Sequence, residues 1–347
     1  METKSQYQTH GKIMHRVPKT DANVHGARRV KSIPINRLSI VIFGGEKTNR
    51  IKTANWYASM YDQLLRFYKI SDVQVYSAYY DFESNNRNTE RANAFIAARS
   101  KILNRGITTK PMATNYINDL YQIVIKPRIV DKNGHKLSNI KVMHNIRNLI
   151  ISTHCHGSVP VFAFQRMMAT DMKNLGYEPN IINHVMKNLL VIQHAPVSPL
   201  EKSRFDTVSF MSANDTRMNF HNQFSDYIIE HEADLSASYF PLGNFFATNG
   251  FTYQYIDEHS ITGLVPSENQ DMLTPDGAIV MAAERNAIIN GILAAQRGAP
   301  MPDIRDLIAP VSQKDAVKPD FDVLAQNGDF FMNIMRYDLR AGKSKER

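Results

Sequence analysis

The chain has 347 residues, of which 43% are hydrophobic and 21% are charged, and its net charge is +8. This composition predicts a soluble globular protein with a large core. The single cysteine excludes disulfides within the chain, and no run approaches the ~18 apolar residues of a membrane-spanning helix.

The first residues lack the apolar region of a secretory signal peptide, so we expect a cytoplasmic location, with export by a non-classical route left open. Much of the positive charge lies near the two ends. Such tails could contact nucleic acid or an anionic membrane. Solvated, flexible ends are favoured instead, because basic and aromatic residues do not alternate regularly. The oligomeric state is not predicted.

Residues 1–32 are polar, basic and aperiodic, and they predict a flexible N-terminal arm. Short apolar runs predict six strands: Ser39–Phe43, Val73–Tyr80, Leu149–Ile151, Leu189–Gln193, Asp206–Met211 and Phe251–Ile256. Helical spacing predicts helices over Ala54–Tyr68, Thr89–Leu103, Ala113–Ile125, Ser158–Leu175, Asn180–Lys187, Pro275–Gln296 and Asp320–Leu339. Irregular structure is predicted over Lys126–Ile140, with a hairpin-type turn at Asp131–Gly134.

Strands that alternate with helices and are apolar on both faces predict an α/β fold with a mostly parallel central sheet and helices on both faces. We assign this domain to residues 33–310, and a C-terminal helix with a basic tail to residues 311–347. Residues 219–249 are rich in aromatic side chains and contain no clear strand. They predict an inserted cap over the pocket, with ordinary core helices as the alternative.

The sequence Thr153-His154-Cys155-His156-Gly157 joins a predicted strand to a predicted helix. A small residue two before and a glycine two after a nucleophile is the pattern of a sharp strand-to-helix turn. The turn would expose the Cys155 sulfur at a helix N-terminus, which lowers the pKa of a thiol. A buried structural cysteine is the alternative. Metal binding is disfavoured, since alternating residues at a turn splay apart and no second cluster has zinc spacing.

Ligands of parallel sheets bind at the carboxyl ends of the strands, where Cys155, Asp215 and His259 each follow a predicted strand. A cysteine nucleophile needs a base, and the base needs an orienting acid. We predict Cys155 as the nucleophile, His259 as the base and Asp215 as the acid. Rival residues compete for two roles, namely His194 for the base and Asp257 and Glu258 for the acid.

The Gly44-Gly45 turn follows an early predicted strand. We predict that backbone N–H groups near Gly45 and at His156 bind the oxyanion of a tetrahedral intermediate. With the chain order nucleophile, acid, histidine, these parts resemble the α/β-hydrolase fold over about residues 33–297. The turn looks most like that of the cysteine-nucleophile branch, dienelactone hydrolases and polyhydroxyalkanoate synthases, with Thr153 replacing the first glycine of Gly-x-Cys-x-Gly.

The resemblance implies a cysteine-dependent hydrolase or acyltransferase, such as a thioesterase, acting on a small-molecule ester, thioester or lactone. It implies no cofactor and no metal. A catalytically inert binding protein of the same fold is the alternative. A papain-like cysteine peptidase is disfavoured, because Cys155 follows an apolar strand whereas those enzymes carry the cysteine on a helix after a loop.

Overall fold

The computed structural model describes residues 11–16, 27–45, 51–79, 111–154, 157–194, 203–210, 275–302 and 304–311. Several sequence predictions lie outside these residues: the strand Phe251–Ile256, the helices Thr89–Leu103 and Asp320–Leu339, and the cap over residues 219–249.

The described strands form one mixed sheet. They are β1 (Lys12–Arg16), β2 (Ala27–Val30), β3 (Ser39–Phe43), β4 (Gln74–Tyr79), β5 (Leu149–His154), β6 (Leu190–His194) and β7 (Asp206–Phe210). Their order across the sheet is β2-β1-β4-β3-β5-β6-β7. Strands β4, β3, β5, β6 and β7 run parallel, whereas β1 pairs antiparallel with both β4 and β2. The predicted mostly parallel sheet is confirmed.

Helices cover both faces of this sheet, as predicted. They are α1 (Ile51–Phe67), α2 (Pro111–Val124), α3 (Lys126–Ile129), α4 (Asn139–Arg147), α5 (Ser158–Asn174), α6 (Pro179–Met186), α7 (Pro275–Gln296) and α8 (Ile304–Ile308). Because side chains alternate along a strand, Ile40 and Ile42 join a core with α1, α7 and α8. Val41 and Phe43 join a second core with α2 to α6.

The order in which the chain adds strands reverses between β3 and β5. From β3 the chain goes to β4 on one side, and it later enters β5 on the other side of β3. In doubly wound sheets this reversal is the topological switch point, and ligands bind there at the carboxyl ends of the strands. Gly44 and Gly45 follow β3, and Cys155 follows β5, so both sequence motifs fall at the switch point.

Two regions differ from the sequence prediction. Strands β1 and β2 lie within residues 1–32, for which a flexible arm is predicted. Basic residues suit strands near a sheet edge, because their charged ends reach water while Ile13 and Met14 are buried. Residues 126–140 contain the short helix α3, and α4 already begins at Asn139, where the hydroxyl of Ser138 accepts from the Lys141 amide.

Two glycines of the central region lie in left-handed backbone, and one of them is in the predicted hairpin-type turn. Gly176 has a φ of +77° directly after α5, and Gly134 has a φ of +84° in the predicted hairpin-type turn. There the Gly134 amide donates to the Asp131 carbonyl over 3.0 Å. Left-handed backbone of this kind favours glycine.

None of the helices among the described residues is both long and apolar enough to cross a membrane.

Candidate active site at the carboxyl edge of the sheet

The predicted strand–turn–helix around Cys155 has its strand and its helix in the structure. Strand β5 ends at His154, and α5 begins at Ser158 after Gly157, whose backbone is already helical at φ −61° and ψ −20°. Cys155 and His156 lie between these elements and outside the described residues. The only cysteine therefore lies in the interval between the end of the strand at His154 and the start of the helix at Ser158.

Gly157 packs against the backbone at the end of β3. A Cβ atom added at Gly157 would lie 1.9 Å from the carbonyl oxygen of Phe43 and 2.9 Å from that of Gly44. These obstacles are backbone atoms, which cannot rotate away as a flexible side chain can. Lack of space therefore requires glycine at this position. The close approach brings the start of α5 against the Gly44-Gly45 turn.

The other small position of the motif, Thr153, is also buried. Its Oγ1 atom has no hydrogen-bond partner within the part of the chain that the structure describes. Thr153 pairs with Phe43 across the β3–β5 ladder, so it lies beside the strand that leads to Gly44. Threonine, which is bulkier than the first glycine of the Gly-x-Cys-x-Gly pattern, is thus accommodated near the end of β5.

The Gly44-Gly45 turn is tied to helix α1. Both glycines are buried, and the amide of Gly45 donates to the hydroxyl of Tyr57 over 3.2 Å. The Tyr57 hydroxyl is also 2.5 Å from Nδ1 of His154. Since the Gly45 amide supplies one hydrogen to Oη, the phenol can give its own hydrogen to Nδ1. The N–H that the sequence predicts as an oxyanion donor is therefore engaged by Tyr57.

His154 and His194 lie side by side on the same face of the sheet. They are register partners at the carboxyl ends of β5 and β6, and their ring centroids are 5.5 Å apart. Each follows a buried polar residue, His154 after Thr153 and His194 after Gln193, beyond the apolar part of its strand. Strand β6 ends at His194, which pairs with His154, and Cys155 is the next residue in sequence after His154.

His194 forms a buried pair with Glu284 of helix α7. Nδ1 of His194 is 2.6 Å from Oε2 of Glu284, His194 is 3% exposed, and Glu284 is fully buried. Nε2 of His194 and Oε1 of Glu284 have no hydrogen-bond partner among the described residues. An imidazole that donates its Nδ1–H to a carboxylate presents Nε2 as an acceptor, which is the arrangement of a general base and its orienting acid.

A second polar contact lies one layer below, where the Tyr61 hydroxyl and the Ser152 hydroxyl form a short hydrogen bond. Burial raises the pKa of Tyr61 well above its usual value, and the nearby charge of Glu284 raises it further. The Tyr61 phenol therefore stays neutral over the physiological range. It adds polar character to an otherwise apolar core without adding charge.

Of the predicted site residues, the structure describes Gly44 and Gly45, which it places beside the end of β5. The others, Cys155, His156, Asp215 and His259, lie outside the described residues. Glu284 was missed by the sequence prediction. A signal exists, because Glu284 precedes the buried Ala287 and Ile288 by three and four residues and so shares their helix face. No group of three or more potential metal ligands occurs within the described segments.

A scan against models of known protein families and a search of curated proteins both find no match to this chain.

Proposed function

We propose that this chain is a cysteine-dependent hydrolase or acyltransferase of the α/β-hydrolase type, with Cys155 as the nucleophile. The substrate class is an ester, thioester or lactone of a small molecule. The antiparallel edge made by β1 and β2 is not fully of the hydrolase type. Support for the proposal therefore comes from the topological switch point between β3 and β5.

The observation that carries the proposal is the contact of Gly157 with the backbone of Phe43 and Gly44. An ordinary connection from strand to helix does not need its first helical turn pressed onto the neighbouring strand. A nucleophile turn does, because the reacting carbonyl must reach both the nucleophile and backbone donors. Helix α5 begins at Ser158, three residues after Cys155 in sequence, which supports a thiolate through the partial positive charge of a helix N-terminus.

In the proposed reaction, the Cys155 thiolate attacks the acyl carbon and forms a thioester with the chain. Water completes hydrolysis, or an acceptor alcohol or thiol completes transfer. The sequence prediction assigns the base to His259 and its orienting acid to Asp215. The His156 and Gly45 N–H groups bind the oxyanion, and Gly45 must then exchange its bond to Tyr57 for one to the substrate.

That same bond is the observation that favours the second candidate, an inert binding protein of the same fold. A Gly45 amide that is permanently satisfied by Tyr57 leaves the turn closed to an oxyanion. The two candidates differ in what they expect of the thiol. Catalysis requires an accessible thiolate at Cys155, whereas a binding role does not.

The test uses the single cysteine, since thiol alkylation reports on Cys155 alone. The native full-length chain is treated with iodoacetamide across a range of pH and is analysed by mass spectrometry, with a guanidinium-denatured sample as the reference. Turnover of p-nitrophenyl acetate, an acetyl thioester of N-acetylcysteamine and a δ-lactone is measured for the unmodified chain and for Cys155→Ala. We expect alkylation of the native chain below the usual thiol pKa of ~8.5, and loss of turnover in the variant.

Alkylation only after denaturation, together with unchanged turnover in Cys155→Ala, would reject the enzyme. Alkylation of the native thiol without turnover of any of the three substrate types would favour the binding protein.

A further inference from the structure

The parallel strands all begin at one edge of the sheet, here called the amino edge, which lies opposite the candidate active site. Ser39 of β3 is the register partner of both Gln74 of β4 and Leu149 of β5, and β6 and β7 continue this register. The segments that lead into these strands therefore lie side by side, about 4.8 Å apart from one strand to the next. The end of α7 joins them, because Nη1 of Arg147 donates to the Gly298 carbonyl over 3.4 Å.

The amino edge carries an excess of positive charge. Its segments are residues 35–38, 68–73, 147–148, 187–189, 203–206 and 297–302, and their acids are Asp72 and Asp206. Their basic residues, which are exposed except for the half-buried Arg147, are Arg37, Lys69, Arg147, Lys187, Arg204 and Arg297. From β4 to β7 this row of cations extends over four strand spacings, or about 19 Å.

Helix dipoles account for only part of this charge. Arg147, Lys187 and Arg297 lie at or directly after the C-termini of α4, α6 and α7, where a cation is favourable. Arg37 has no such explanation, because it lies in the connection from β2 to β3. Neither Arg37 nor Arg204 forms an ion pair with a residue that the structure describes. Their charge is therefore not neutralised by the described part of the fold.

A buried cation lies behind this edge. Arg128 of α3 is fully buried, and its guanidinium donates to the carbonyls of Val124 over 2.8 Å and of Pro34 over 3.5 Å. Its Nε has no hydrogen-bond partner among the described residues. Burial lowers the pKa of Arg128 to about 10, so the group still carries its charge at neutral pH. Arg128 and Arg37 both lie close enough to the Tyr76 phenol to favour its ionised form, so the buried charge strengthens the positive potential at Arg37.

We propose that the amino edge binds double-stranded nucleic acid through the phosphates of its backbone. This would be a second activity of the chain, and it does not depend on Cys155 or on the proposed function. Arg and Lys are the usual partners of phosphate oxygens, and such contacts carry no sequence information. Phosphates of one strand follow each other every ~3.4 Å along the duplex axis, so a row of about 19 Å matches roughly five of them.

The shortage of exposed apolar side chains favours a duplex over two other polyanions. Proteins bind single strands by stacking bases on aromatic side chains, and they bind anionic membranes by inserting apolar ones. The exposed large hydrophobic residue of the described segments is Ile140, which lies near the other end of α4 from Arg147, roughly 10 Å along the helix. Tyr68, at the amino edge itself, packs against the core under α1. This edge therefore offers charge without a platform for bases or lipid chains.

The experiment measures binding of the full-length chain to a fluorescein-labelled DNA duplex of about 20 base pairs, which is longer than the row of cations. Fluorescence anisotropy gives the Kd over a range of NaCl concentrations. The amino-edge variant combines Arg37→Gln, Lys187→Gln and Arg204→Gln, which removes three exposed charges. The same strand alone, a second duplex of unrelated sequence and vesicles of phosphatidylserine are the competing ligands.

A matched control removes the same charge outside the segments of the amino edge. It combines Lys31→Gln, Lys132→Gln and Lys141→Gln, all at exposed positions. Thermal unfolding followed by circular dichroism verifies that both triple variants fold. If the amino-edge variant does not fold, Arg37→Gln alone decides the question.

We expect the two duplexes to bind with equal affinity and the affinity to fall steeply as salt is added. Each lost phosphate contact lowers the slope of log Kd against log salt by about 0.9, so the amino-edge variant should lose about 2.7 and Arg37→Gln alone about 0.9. At about 0.1 M NaCl the amino-edge variant should bind at least roughly tenfold more weakly, and the control should stay within about twofold of the unmodified chain.

Equal affinity of the amino-edge variant and the unmodified chain would overturn the inference. An equal loss in the control would also overturn it, because net charge and not the amino edge would then govern binding. Tighter binding of the single strand would reject the duplex as the ligand. Binding of the vesicles without binding of the duplex would replace nucleic acid by an anionic membrane.

Discussion

His154 and His194 end adjacent parallel strands in register, with ring centroids 5.5 Å apart and ring planes inclined by 50°. Their contact joins two hydrogen-bonded pairs that come from different helices. Tyr57 of α1 bonds His154, and Glu284 of α7 bonds His194. A polar path therefore crosses the carboxyl edge of the sheet from α1 to α7, past the position where the only cysteine follows β5.

Gly157→Ala should destabilise the chain and reduce native alkylation of Cys155. The new Cβ would lie 1.9 Å from the Phe43 carbonyl oxygen, so α5 must move away from β3. Overpacking of this kind typically reduces the free energy of unfolding by about 1–3 kcal/mol. Urea unfolding followed by circular dichroism measures this loss.

Gly291→Ala is the control for this prediction. Its Cβ would meet a methyl carbon of Leu190 at 2.4 Å, and that side chain can rotate. We expect a smaller loss of stability and unchanged alkylation. Equal stability of the Gly157→Ala variant and the unmodified chain would contradict the close packing of the turn.

The His194–Glu284 pair should show strong energetic coupling. Removal of either partner leaves the other buried without its hydrogen bond, and breaking a buried pair typically costs about 3–5 kcal/mol. We expect His194→Leu and Glu284→Leu each to destabilise the chain and the double variant to lose much less than the sum. A double-mutant cycle of urea unfolding at fixed pH measures this coupling, and additive losses would show that the two side chains do not interact.

Tyr57→Phe tests whether Gly45 serves the oxyanion. The substitution removes the hydroxyl that occupies the Gly45 amide and also removes the hydrogen bond to His154. We expect stability to fall by roughly 1–3 kcal/mol, because buried groups lose a partner. Turnover of the thioester should be retained, because the Tyr57 hydroxyl no longer competes with the substrate for the Gly45 amide.

A fall in kcat of about 100-fold or more in Tyr57→Phe would assign the donor role to the Tyr57 hydroxyl instead. Tyr61→Phe is the matched control, since its hydroxyl pairs with Ser152 and does not contact the Gly44-Gly45 turn in any described bond.

The stability of the fold should fall in alkali through Tyr76. Burial raises the pKa of Tyr76 to about 12, from an ordinary value near ~10 in the unfolded chain. The folded pKa is the higher one, so this contribution to stability is complete below pH ~10 and is lost as the pH rises through about 12. We expect Tyr76→Phe to flatten the decline of unfolding free energy over this window. An unchanged slope in the variant would show that Tyr76 ionises alike in both states.

The parallel strands could be predicted from the sequence because their residues are apolar on both faces. Ser39–Phe43 was predicted with its observed bounds, and its five residues are all buried. The polar residues at the carboxyl ends of these strands were harder to assign from the sequence. Strand β5 continues through Ser152 and Thr153 to His154, beyond the predicted end at Ile151, because ladder hydrogen bonds do not require apolar side chains.

The candidate site was predicted less completely, because its contacts are long-range. His194 and Glu284 are 90 residues apart in sequence, and only the packing of α7 on β6 brings them together. The residues that begin and end a helix predicted α7, but they do not give the partner of an acid on its buried face. Gly157 was predicted as part of the turn, because crowding at a sharp turn requires small residues that can be recognised within a few positions of sequence.

The central position of β3 has a consequence for synthesis on the ribosome. Its partner β4 follows soon after it in sequence, whereas its other partner, β5, is made only after α1 to α4. A nascent chain that ends before Leu149 therefore presents the open hydrogen-bonding edge of Ser39–Phe43, in which every residue after Ser39 is apolar, to neighbouring chains. Pauses in translation between β4 and β5 should favour aggregation more than pauses after β5, when the innermost strand is paired on both sides.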